Sequence, residues 1–72
     1  MSLRSFSPRR LTDLRIRARL SRQELATATR YSWFTVYGWE RGKFAPSVES
    51  LARIADALGC PIDDLFTDEE SK

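Results

Sequence analysis

LSRQELATATRYSWFTVYGWERGK, Leu20 to Lys43, is the stretch whose reading decides the fold of this chain. It predicts two short helices joined by a tight turn. Ser21 precedes Glu24 by three residues, so hydroxyl and carboxylate can each satisfy a free backbone donor at the first helix start. Leu20 and Leu25 flank that start as a hydrophobic staple, and Ala26 is small enough for another helix to cross closely. The first helix ends near Thr29. Ser32 then caps a second helix through the backbone of Phe34 or Thr35. Val36 and Trp39 share its inward face, while Trp33, Phe34, Tyr37, Gly38 and Arg41 lie around the other side. Gly42 supplies a left-handed stop.

Working outward, Ser7-Pro8 starts a helix that runs to about Arg19, with the serine as cap and proline at the first helical position. Leu11, Leu14 and Ala18 fall at helical spacing along it. After Ala45-Pro46, Ser47 and Glu49 begin a fourth helix, whose Leu51, Ile54, Ala55 and Leu58 form a stripe able to close over Leu25, Val36 and Trp39. Gly59 stops it. Ile62 to Phe66 reads as one more helical turn. The expected organisation is a flexible N-terminal arm over 1–7, a folded domain over 8–66 and an acidic tail over 67–72.

Taken in order, L-S-R-Q-E-L-A, S-x-x-T-V-x-x-W-E-R-G-K, P-S-V-E-S-L-A-R-I-A-D-A-L-G and D-D-L-F resemble the helix-turn-helix domain of phage repressors and Cro, the XRE-like family. The resemblance spans Leu11 to Phe66. It implies an all-α, compact five-helix bundle of the lambda-repressor type that binds double-stranded DNA, with the second helix of the pair in the major groove. It also implies that Arg15 pairs with Glu40, clamping the first helix to the end of the third. Polar positions matching backbone contacts are Ser21, Arg22 and Gln23, with Arg41 and Lys43 at the far end. Positions matching base contacts are Trp33, Phe34 and Gly38, with Thr35 and Tyr37 beside them.

None of those base-facing side chains offers the fork of donors or the amide that bidentate recognition of guanine or adenine needs. Trp33 or Phe34 can instead pack on thymine methyl groups, and the indole N–H of Trp33 can donate once. Gly38 leaves room for close approach of DNA or for a neighbouring ring. Arg19 and Arg30 stand where the family usually has glycine, so each turn carries about 1 kcal/mol of strain or is built differently.

Charge distribution agrees with a nucleic-acid surface. The net charge is only +2, yet Met1 to Lys43 holds ten Lys or Arg against three acids, while Phe44 to Lys72 holds two against seven. The basic half contains the helix pair, the footprint expected of a DNA-facing side. Tyr, Trp and Arg are also favoured anchors of protein interfaces, so a protein-binding adaptor using the same face is the alternative, alongside an antitoxin-type regulator.

Seventy-two residues make one small domain. No apolar run follows the basic N-terminus and none is long enough to span a bilayer. Cys60 is the single cysteine and histidine is absent, so no disulfide, metal site or thiol catalysis can be assembled from within the chain. A reducing, cytoplasmic location is the simplest reading. The acids sit at caps or in the tail, which leaves no catalytic constellation, cofactor or small-molecule site. Either Ile62, Leu65 or Phe66 makes a small homodimer contact, or the chain dimerises only on DNA, or it is a fragment of a longer regulator.

Overall fold

Serines open all four α-helices of the computed structural model, which describes residues 3–69. The helices are α1 (Pro8–Arg17), α2 (Arg22–Thr29), α3 (Trp33–Arg41) and α4 (Val48–Leu58). Ser7, Ser21, Ser32 and Ser47 accept from the backbone N–H of Arg10, Glu24, Thr35 and Ser50 at 3.1, 3.0, 3.1 and 3.1 Å. Each hydroxyl thereby satisfies a donor that the helix itself cannot. Glu24 returns the bond, accepting from the Ser21 N–H at 2.8 Å, so the expected capping box is complete.

One backbone device closes all four. Residues 19, 30, 42 and 59 take φ of +61, +65, +74 and +68°, and the following N–H reaches back five residues, as in Lys43 N–H to Gly38 O at 2.9 Å. The left-handed residue frees that reach and satisfies otherwise orphaned carbonyls. Gly42 and Gly59 adopt it without a Cβ clash, whereas Arg19 and Arg30 adopt it against one. Arg30→Gly is therefore expected to raise stability by about 0.5–1 kcal/mol, relief of the clash outweighing the added freedom of the unfolded chain. Urea unfolding measures this, and a loss of stability would refute the strain.

Leu11, Leu25, Ala26, Val36, Trp39, Leu51, Ile54, Ala55 and Leu65 form the buried core, drawing on every helix. Tyr31, in the turn between α2 and α3, sets its ring edge-on to Trp39 at 5.1 Å. Its hydroxyl accepts from Ser50 Oγ at 2.7 Å, and Ser50 Oγ lies 2.9 Å from the α4 cap Ser47. A short chain of hydroxyls thus ties the turn of the helix pair to the start of α4. Ala18, at helical spacing with Leu11 and Leu14, is exposed.

Two expectations about architecture need correction. The fifth helix is a four-residue 3-10 turn over Ile62–Leu65. Four residues between Pro61 and an extended segment leave room for an i to i+3 bond, Asp64 N–H to Pro61 O at 3.1 Å, and not for a helix. The fold is also not purely helical: β1 (Leu3–Phe6) and β2 (Phe66–Glu69) pair antiparallel, from Leu3 opposite Glu69 to Phe6 opposite Phe66. The described parts of the expected arm and tail are thus one ribbon, which Ser7 N–H to Leu65 O at 2.9 Å joins to the 3-10 turn. Residues 1, 2 and 70–72 of that arm and tail lie outside the described residues. Leu65 is fully buried and cannot make the dimer contact proposed for it; Ile62 remains partly exposed.

Candidate nucleic-acid interface

Glu40 fixes the geometry of the helix pair. Its side chain is 2% exposed, and its Oε2 accepts from Arg15 Nε at 2.5 Å. Its Oε1 accepts from Arg15 Nη2 at 3.2 Å and from Arg22 Nε at 2.8 Å. Arg15 then spends Nη1 on the Leu20 carbonyl at 2.8 Å, the residue just before the α2 cap. One carboxylate therefore holds α1, α2 and the last turn of α3, with a planar fork matching a planar acceptor. Burial alone would raise the Glu40 pKa. The hydrogen bonds from Arg15 and Arg22, with the charges behind them, outweigh it and hold the carboxyl below its usual value.

Arg15 and Glu40 thus form the pair that the resemblance implied. The second bridge was not foreseen: Arg22 was assigned to a phosphate, yet its Nε is committed to Glu40 and its guanidinium lies 5.4 Å over the Tyr37 ring. The signal was a second arginine, one residue after the α2 cap, near the only acid of α3.

The outward side of α3 is aromatic. Trp33, 42% exposed, and Phe34, 60% exposed, occupy its first turn beside half-buried Thr35. Trp33 stacks on Tyr37 at 4.9 Å with an interplanar angle of 11°. The Arg41 guanidinium lies 5.8 Å from the same Tyr37 ring, so three groups immobilise a half-buried tyrosine. Thr35 Oγ1 sits 3.0 Å from the capping hydroxyl of Ser32.

Gly38 is not open to solvent. It is buried, and a Cβ placed there would lie within 3.0 Å of three atoms of the Phe44 ring. Of the two roles open to this glycine, making room for a neighbouring ring is the one the structure takes. Phe44 itself was not foreseen as part of the surface. The available signal was an isolated glycine inside a helix, which costs about 1 kcal/mol against alanine and marks a close approach.

Among the remaining expected backbone contacts, Arg41 and Lys43 are exposed at the far end of α3. Ser21 is exposed but already capping, and Gln23 Nε2 donates to Thr27 Oγ1 at 3.3 Å along the α2 surface. Cys60 is half-buried, and burial, then the neighbouring Asp64, pushes its thiol pKa up, away from a reactive thiolate. Among the described residues no three His, Cys, Asp or Glu side chains gather as metal ligands. No helix among them is long and apolar enough to cross a membrane.

Comparison with known proteins agrees with this geometry. A family model described as a Cro/C1-type helix-turn-helix DNA-binding domain matches residues 10–71. The cryptic phage CTXphi transcriptional repressor RstR of Vibrio cholerae is 29% identical over 62 residues, 86% of this chain and 56% of that protein. This chain therefore spans little more than half the length of that relative. The restriction-modification controller protein C.AhdI from Aeromonas hydrophila superposes with a TM-score of 0.79 at 32% identity, covering 82% of this chain and 89% of that one. The P22 c2 repressor, solved in complex with a synthetic operator, gives a TM-score of 0.78 at 24% identity over 85% and 92% of the two chains, a likeness of fold.

Proposed function

The chain belongs to the Cro/C1-type helix-turn-helix DNA-binding family, and from that premise we propose that it is a sequence-specific transcriptional regulator, acting as a repressor, that reads the major groove of duplex DNA with α3. The observation that carries the reading is the exposed aromatic start of α3, on a helix whose far end is fixed by the Glu40 clamp and carries the exposed cations Arg41 and Lys43. Phosphate neutralisation by Arg41, Lys43 and the exposed part of Arg22 supplies affinity, and the free N–H groups at the start of α2 add to the pull on a phosphate. Trp33, Phe34, Thr35 and, through its stack on Trp33, Tyr37 supply the base-facing surface. Similarity to a repressor supports the repressor reading, and action on DNA implies an intracellular site of action.

Two copies on half-sites about 34–36 Å apart fit the usual geometry of such domains. Partly exposed Ile62 is available to a symmetric contact, formed in solution or only on DNA. The experiment is selection of bound sites from random duplex DNA, followed by titration of the best site at several salt concentrations. With about four phosphates neutralised per protomer, log K should fall with log salt at a slope of about −3.6, and Lys43→Ala should flatten it by about 0.9 on every duplex. A salt-independent affinity, or no selected site, would refute DNA recognition in favour of a protein-binding adaptor.

A further inference from the structure

Phe34 is an exposed ring on the first turn of α3, and the core does not hold it. One turn on, at the i+4 position where a side chain would normally support it, stands Gly38. The space above that bare backbone is filled by Phe44, whose ring is 6.5 Å from Phe34 at 46°. On its other side Phe44 borders a shallow groove that Phe6, Pro8, Gly42 and Ala45 also line. It is nevertheless 42% exposed, so the two rings present one continuous apolar surface. Exposed Arg41 closes the last turn of α3, and exposed Lys43 immediately precedes Phe44 in the loop.

A ligand for that surface must be anionic around its edge and apolar at its centre. On the base edges of the major groove the apolar group is the C5-methyl of thymine, and neither ring can make the bidentate donor pattern that reads purines. We propose that Phe44 is a positioning residue for base recognition: from the loop after α3 it holds Phe34 in place to read C5-methyl groups of pyrimidines. Gly38 is required because any Cβ would displace Phe44 and leave Phe34 free to rotate. The proposal rests on the DNA-binding reading and adds to it the chemical class of base that is read.

The test compares a duplex selected from a random library with the same duplex carrying deoxyuridine for thymine, which removes only the methyl. The unmodified protein should bind the deoxyuridine duplex about fourfold more weakly for each contacted methyl, the fold-change for one such group leaving water. A 5-methylcytosine·G pair at that position should bind better than a C·G pair. Phe44→Ala should bring the thymine-to-deoxyuridine ratio close to one while leaving the salt slope unchanged, and Phe44→Leu should restore most of the ratio. Gly38→Ala should act in the same direction as Phe44→Ala, and both together should add little to either. Thermal melting by circular dichroism confirms that each variant is folded, and Gly38→Ala, expected to lose the ratio in the same way, carries the test if Phe44→Ala is not. Equal affinity of the unmodified protein for the thymine and deoxyuridine duplexes overturns methyl reading while DNA binding stands. An equal loss on both duplexes in Phe44→Ala overturns the positioning role. Failure to bind any duplex overturns this inference together with the reading beneath it.

Discussion

Glu40→Ala is expected to cost about 3–5 kcal/mol of folding stability, the range for removing one partner of a buried ion pair. A domain of this size holds about 4–11 kcal/mol in all, so the loss approaches the whole margin. The cost arises because Arg15, nearly buried, loses both bonds of its fork and keeps its charge, while Arg22 is exposed enough to turn toward water. Arg22→Ala should accordingly cost far less, about 1 kcal/mol or under, as for exposed pairs. Acid should act as the mutation does. Because the folded Glu40 pKa lies below its unfolded value, the clamp contributes fully above the unfolded pKa, about 4.3, and is lost as pH falls through the lower folded one. Urea unfolding at neutral pH and below pH 4 measures both effects, and a Glu40→Ala variant within 1 kcal/mol of the parent would refute the clamp.

The joint substitution Trp33→Ala and Phe34→Ala is expected to weaken binding to a selected duplex about 100-fold, from about 1–1.5 kcal/mol for each partly exposed ring covered on binding. The salt slope should stay where it was, since it counts phosphates and not bases. Trp33 also stacks on Tyr37, so the variant loses a contact worth about 0.5–1.5 kcal/mol in the free protein. Melting curves distinguish that loss from a loss of recognition. Undiminished binding to duplex DNA would move the aromatic face from bases to a protein partner.

What was legible in the sequence was local. Each capping serine announces itself through the three residues that follow, and Leu25, Val36, Trp39, Leu51 and Ile54 announce a core by spacing alone. The left-handed arginines were visible as residues standing where glycine is usual. What could not be read depends on contacts between distant parts of the chain. The ribbon pairs two four-residue segments near opposite ends, each too short and one too acidic to read as a strand. Arg22 could be placed near α3 but not onto a particular oxygen of Glu40, because a long flexible side chain has several partners within reach. Gly38 was open to two roles until Phe44 was found over it, a contact made across the loop that follows α3.

Since Leu3 lies opposite Glu69, the described chain returns to the place where it set out. The order in which its helices are synthesised is then separable from the order in which they pack. A short linker across the ribbon, with a new opening cut between Lys43 and Pro46, would yield a circular permutant that keeps the serine caps, the shared carboxylate and the core. For the same reason, a polypeptide fused at Leu3 and one fused at Glu69 would leave from a common edge, a natural seam for inserting this domain whole into another protein's surface loop.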